Sequence, residues 1–297
     1  QAFLDSKGAH ALVCPCVASA GRPRSSMDRV MRSRAWRSVV LQRGSAQVQA
    51  RSLVTATSIK PMKRFYKETS VEESGAVWRV LLDKRPVKTP KGSFLELPTL
   101  ELAQAVAQEW GSQGENLRTR EMTLTTVGCT AVDLVRPEKA ACVNRMLPYL
   151  AMDTLCFEDD QELLAEMQAM EWGPVRQWFE ERFQVELRVG RGIMGPRHPQ
   201  ATESAVEEQL QSRDEWELCA LEICTNIAKS FIVSAALLER EDVHSKDAFR
   251  WALLEEHYQI ERWGLVEGEH DVSHTEFMMW MDACRRFGQH GRTLLPE

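Results

Sequence analysis

Between Phe65 and Leu97, apolar and polar residues alternate with the two-residue period of a strand. In AVWRVLLDKRPVKTP, Val77, Arg79 and Leu81 alternate against Trp78, Val80 and Leu82, and turn residues stand at Ser74-Gly75 and Lys91-Gly92. This spacing predicts a small antiparallel meander, with Pro86 and Pro90 keeping their segment at a sheet edge. Beyond Pro98-Thr99 the period lengthens to that of helices. Leu102, Val106 and Trp110 recur at i, i+4 and i+8 before Gly111 and Gly114 stop the run. Further helices are expected over 123–134, 137–151, 160–171, 174–184, 202–212, 214–239, 245–263 and 274–287. Pro137 and Pro174 open two of them, Ser204 and Glu207 form a capping box, Ser245 is a cap and Gly264 a stop. One irregular segment, FQVELRVGRGIMGPRHPQ, reads as a short strand and a loop. The pattern is of a small antiparallel sheet followed by a chain that is almost wholly helical.

Charge separates the first 60 or so residues from the rest. Residues 1–64 carry 12 Lys/Arg against two acids, and 65–297 carry 25 against 41. From Met27, MDRVMRSRAWRSVVLQRGS sets arginines among small, hydroxyl and apolar residues, the composition of a mitochondrial transit peptide. Residues 1–60 are therefore expected to be a disordered leader, with 1–26 an extension upstream of the start. The acidic body argues against nucleic-acid binding, which needs a clustered cationic face. No window reaches the roughly 20 apolar residues of a membrane helix, so no membrane insertion is expected. The eight cysteines (14, 16, 129, 142, 156, 219, 224 and 284) form no metal-binding spacing and read as reduced, buried thiols.

Candidate chemistry is sparse. Gly190-Arg191-Gly192-Ile193-Met194-Gly195 matches a dinucleotide fingerprint, but Pro196 and Pro199 prevent the helix whose N-terminus would hold the pyrophosphate. Glu241/His244 and Glu267/His270 have the ExxH spacing of di-metal bundles, which makes a helical di-metal oxidoreductase the alternative function. His244, however, falls in an inter-helix turn, and Gly264 and Gly268 interrupt the helix near Glu267. His270 and His274 lack the paired glutamate of a zinc helix. No nucleophile elbow, phosphate loop or kinase motif is present, so neither an enzyme nor a cofactor is expected.

The stretch from Trp251 to Asp271 is the most unusual. On a helix, Glu255, Gln259 and Arg262 share one face, and Glu255, Glu256, Glu261, Glu267, Glu269 and Asp271 make an acidic cluster beside aromatic residues. Read on pattern alone, this is a solvated helix face with a tryptophan anchored in the core.

This stretch, LLEEHYQIERWGLVE with EHD after it, is the last of several collinear segments. The others are LLDKRPVKTPKGSFLELPT, LAQAVAQEW, MTLTTVGCTAVD, LAMDTLCF, EWGPVRQWFEERF and IMGP. Together they resemble the Atp12-type family of chaperones, which assemble the alpha subunit into mitochondrial F₁-ATPase, over about residues 63–272. The resemblance implies an α+β matrix protein, with a small β-rich N-terminal domain containing one or two helices (61–130) and a larger helical, orthogonal bundle-like C-terminal domain (131–297), that binds unassembled alpha subunit, shields its subunit interface from aggregation and hands it to the beta subunit; a monomer is expected. It also implies that Glu255 matches a glutamate on which the family's function depends. Trp110 matches a tryptophan important to folding, and Trp263, Gly264 and Glu267 belong to the same C-terminal motif. His257 departs from the family, which often has an acidic residue there. The expected partner-binding residues are Glu255, Glu256, Gln259, Trp263, Glu267 and Asp271, with Trp110 and Gly264 structural.

Overall fold

The computed structural model describes residues 62–192, 195–264 and 270–290. The leader, Cys14 and Cys16, the Ile193-Met194 step of the glycine motif, and Glu267 with Glu269 lie outside them.

Alternation produces the sheet where it was expected. β1 (Thr69–Ser74) and β2 (Val77–Leu82) form a hairpin in the register Ser74↔Val77, turning through Gly75 at φ 69°. Val80 and Leu82 point inward and are buried. The far side of β2 pairs with β3 (Arg85–Pro86) and β4 (Glu96–Leu97), so Pro86 sits on a peripheral strand that need not donate outward. Arg79 faces Glu96 across the β2–β4 register and donates to it through Nε at 3.0 Å.

The sheet lies on α1 (Leu100–Gly111), which Thr99 caps by accepting the Leu102 amide, and which buries Leu102, Ala103, Val106 and Ala107. Trp110 is half-buried at the end of α1. Its carbonyl accepts the Tyr66 hydroxyl at 2.7 Å, and the two rings meet edge-on at 5.6 Å. Two carboxylates, Glu109 half-buried and Asp133 buried, then join successive segments. Glu109 accepts the amides of Leu124 and Thr125, both at 2.8 Å, at the start of α2 (Thr123–Thr130). Asp133, in the wide turn that follows α2, accepts the Thr89 hydroxyl at 2.7 Å and the Lys91 amide at 2.9 Å. A carboxylate bound to backbone N–H groups is strongly anchored, because the bonds are charge-assisted.

The helical part comprises α3 (Lys139–Ala151), α4 (Glu162–Phe183), α5 (Gln200–Gln211), α6 (Glu215–Ala228), α7 (Phe231–Glu239), α8 (Ser245–Ala252), α9 (Leu254–Trp263) and α10 (His270–Gly288). α7 is apolar on every side, and Phe231 through Leu238 are all buried, because α3, α4, α6, α8 and α10 surround it. One apolar cluster runs from Tyr66 and Val80 in the sheet to Phe287 in α10.

Several boundaries differ from the sequence reading. The expected helices over 160–171 and 174–184 are a single α4 that continues through Pro174. Proline removes one N–H to the carbonyl four residues back, Met170, but both residues face solvent, where water can satisfy that carbonyl, while Trp172 and Val175 are held in the core. The expected helix 214–239 divides instead at Lys229, which adopts a left-handed φ of 55° before Ser230 caps α7. The expected helix 245–263 divides at Leu253. Its N-cap is His244 rather than Ser245, with the Asp247 carboxylate accepting the His244 amide at 3.0 Å. α5 starts at Gln200 behind Pro199, so Ser204 and Glu207 lie within the helix and make no box. The irregular segment after α4 carries one short strand, as expected, and it is confined to Gly190–Arg191, which pairs in parallel with Phe157–Glu158. Cys142, Cys156, Cys219, Cys224 and Cys284 are free and buried and Cys129 is free and half-buried, where burial pushes its thiol up to about 11.

The Lys229 break depends on Asp153. Fully buried after α3, Asp153 accepts the Leu155 amide at 3.0 Å, the Ser230 hydroxyl at 2.7 Å and the Ile232 amide at 3.0 Å. Asp153→Ala leaves these donors without that acceptor, and urea unfolding is expected to show a loss of about 3 kcal/mol.

At the other end, Asp214 caps α6 and lies 3.1 Å from Nε2 of His290, which follows α10. Burial alone would lower the His290 imidazole, but its bonds to Asp214 and to the Phe287 carbonyl hold it above its ordinary 6.5. Burial works to raise Asp214, yet the His290 bond and the Glu217 and Trp216 amides hold it below 3.8. The histidine contribution is full below 6.5 and is lost as pH rises through the folded value; the aspartate contribution is full above 3.8 and is lost as pH falls through its own. Their joint window therefore lies between those values, and the stability deficit of His290→Ala is expected to be larger at pH 5 than at pH 8.

Candidate functional site

The nominated residues cluster on α9, and the way α9 is held determines what they can do. Between Gln161 and Trp172, every third or fourth residue of α4 and its N-cap faces α8 and α9. Trp172, fully buried, donates its indole N–H to the Trp251 carbonyl at 3.0 Å, at the break between α8 and α9. Gln168, only 1% exposed, accepts the Asp159 amide through Oε1 at 2.9 Å and donates through Nε2 to Glu255 Oε1 at 2.9 Å. Gln161 Oε1 accepts the Tyr258 hydroxyl at 3.0 Å and Arg262 Nη1 at 3.1 Å. Arg250 pairs with Glu171 at 3.0 Å. Leu164 and Tyr258 close the apolar contact between these bonds. The two segments run antiparallel and are fastened at each turn, which gives α9 one register on α4.

On this frame Glu255 is half-buried and bound to Gln168, while Glu256 lies 3.9 Å from His274 Nε2 at the start of α10. Gln259 is half-exposed, and Trp263 is 60% exposed beside Arg262. Gly264 ends α9 at φ 86°, a conformation other residues adopt only with strain, and its amide returns to the Ile260 carbonyl at 2.8 Å. Asp271 lies in α10, and its side chain, like the whole of Glu267, lies outside what the structure describes. α9 thus brings together Glu255, Glu256, Gln259 and Trp263. Behind them, His257 stacks on Phe249 at 5.1 Å and faces His274 at 6.0 Å; burial, with the neighbouring His274, holds its imidazole below the ordinary 6.5.

Sequence reading missed Gln161, Gln168 and Trp172. The available signal was a glutamine at an otherwise apolar helix position, Gln168 four residues from Leu164 and from Trp172; a buried amide demands partners.

Among the described residues no group of three or more His, Cys, Asp or Glu side chains is placed to hold a metal ion. His244 serves as the N-cap of α8. Within the glycine motif, a side chain at Gly190 would meet the Gly195 carbonyl carbon at 2.4 Å, so these two glycines permit backbone contact rather than phosphate approach. No helix among the described residues is long and apolar enough to cross a membrane.

Glu255→Ala leaves the buried Gln168 amide without its carboxylate acceptor. A loss of about 1–3 kcal/mol is expected in denaturant unfolding, with a smaller additional loss when Gln168→Leu is combined with it, because the two side chains share one bond.

A model of the family described as "ATP12 chaperone protein" matches residues 63–180. The mitochondrial protein atp12 of Schizosaccharomyces pombe is 29% identical over 227 residues, covering 72% of this chain and 78% of that protein. The mitochondrial protein ATP12 of Saccharomyces cerevisiae is 25% identical over 259 residues, covering 72% and 79%. The crystal structure of Atp12 from Paracoccus denitrificans superposes with a TM-score of 0.72 at 28% identity, covering 78% of this chain and 99% of that one.

Proposed function

The chain belongs to the Atp12 chaperone family, and from that membership we propose that it assists ATP synthase assembly by binding the unassembled alpha subunit of the F₁ sector. An alpha subunit without its neighbours exposes the apolar surface that beta subunits later cover, and such surface aggregates. A chaperone for it must cover that surface at modest affinity and then release it to a tighter-binding partner.

The observation that carries this reading is the fixed presentation of α9. A helix held in one register by Gln161, Gln168 and Trp172 offers Glu255, Glu256, Gln259 and a largely exposed Trp263 together. Carboxylates beside an exposed indole suit a protein interface: the ring supplies apolar area, and the acids supply orientation and partner choice. Glu267 and Asp271, which follow in the chain, are assigned to the same interface by sequence. The mitochondrial names of the relatives and the Arg-rich leader support a mitochondrial location, and the matrix, where the client is assembled, is the compartment proposed. The working form is taken to be a monomer without a cofactor.

The full chain is expected to suppress aggregation of isolated alpha subunit in light scattering at near-stoichiometric ratio. Glu255→Lys is expected to abolish that protection while circular dichroism and a cooperative melt show the fold retained. Failure of the folded wild-type chain to protect the alpha subunit would refute the assignment.

A further inference from the structure

The fastening of α8 and α9 uses one side of α4. On the adjoining flank, about 100° round the helix, Leu163 and Met170 stand 54% and 77% exposed, with half-buried Met167, which also packs against Leu164 and Tyr258, between them and exposed Pro174 one turn further on. The positions 163, 167, 170 and 174 are spaced i, i+4, i+7 and i+11, the seam one helix offers to another. α4 is therefore apolar on two faces, and only the inner one, with Leu164, Trp172, Val175, Phe179 and Phe183, is covered.

The charge that this stretch of the chain itself contributes is of one sign, and Arg191, Arg250 and Arg262 reach its edges from other elements. Residues 157–175 contain six acids and no Lys or Arg. Glu158 is paired with Arg191 and Glu171 with Arg250, and Asp159 accepts the Gln161 amide. Asp160, Glu162 and Glu166 remain exposed along the seam, and no ion pair holds them among the described residues. A second copy of this chain would bring the same acids against their equivalents, at a cost in like-charge repulsion. A cationic helix meets no such barrier. Methionine, unbranched and polarizable, suits a surface that must accept and release a partner.

We propose that the outer face of α4 binds a basic amphipathic helix of the client subunit. Leu163, Met167 and Met170 receive its apolar seam, and Glu162 and Glu166 pair with lysines or arginines on its rim. This rests on the chaperone reading and names the chemistry of one client segment, at a face that adjoins the α9 contact through Met167.

The test uses the full chain, two pairs of substitutions and two probes. Leu163→Ser with Met170→Ser removes the seam, and Glu162→Lys with Glu166→Lys reverses the rim. All four side chains face solvent, so melting temperatures are expected to stay within a few degrees of wild type. The first probe is an 18-residue Leu/Lys amphipathic helix, with a Leu/Glu helix of the same apolar spacing as its control. The second is isolated alpha subunit in the light-scattering assay. The wild-type chain is expected to bind the Leu/Lys helix at least about tenfold more tightly than the Leu/Glu helix, with affinity falling as salt rises, and each double variant to lose about tenfold. Each variant should also need several-fold more protein for half-maximal protection of the alpha subunit.

If wild type protects and both variants protect equally well, the α4 proposal fails while the chaperone reading stands. If folded wild type gives no protection, the chaperone reading itself fails. A photo-crosslinker at position 170 is expected to capture a Lys/Arg-bearing helix of the alpha subunit. Capture of a second copy of the chain, or of the basic segment 27–44 of the same chain, would overturn the assignment of the occupant.

Discussion

A buried amide decides where α9 lies. Gln168 is removed from water almost completely, and an amide in that position must have both its acceptor and its donor engaged or the fold loses several kilocalories per mole. Its oxygen takes the Asp159 amide ahead of α4, and its nitrogen reaches Glu255, 87 residues further along the chain. One side chain therefore links the start of α4 to the start of α9. The break at Leu253 belongs to the same arrangement, because the Trp251 carbonyl beside it accepts the Trp172 indole. Apolar contacts such as Leu164 against Tyr258 would let the helices slide by a turn at small cost. The directional bonds at Gln161, Gln168 and Trp172 would not.

The same device recurs through the molecule. Asp153, Glu109 and Asp133 are acids held in the interior by amide and hydroxyl donors, and each sits where one segment meets another. Glu222 is bound to Arg145 between α6 and α3. Part of the acidic excess of residues 65–297 is thus consumed in fastening elements together. On α4, Glu162 and Glu166 remain exposed to solvent. Glu255 is half-buried, with one oxygen bound by Gln168.

Local chemistry was largely legible in the sequence. The two-residue alternation gave Val80 and Leu82 to the core, Thr99 capped α1 as expected, and α1 ended at Gly111. The errors share one cause, which is that a distant partner overrode a local signal. Lys229 carries no helix-breaking signature, yet the chain turns there because Asp153 awaits the Ser230 hydroxyl and the Ile232 amide. Pro174 carries a strong one, yet α4 continues because the residues on either side are anchored in the core. The candidate helix was legible as an acidic, solvated face with a tryptophan, Trp251, anchored in the core. Its dependence on α4 was not, since periodicity within one segment says nothing about which other segment receives a buried glutamine.

The central claim is that α9, held on α4, meets the client together with the outer face of α4. Hydrogen–deuterium exchange of the full chain, alone and with excess isolated alpha subunit, tests it most directly. The account predicts added protection concentrated in residues 162–174 and 254–263, with the sheet at 69–97 unchanged. Protection confined to the sheet, or no change in α4 and α9 while the alpha subunit is demonstrably bound, would contradict it.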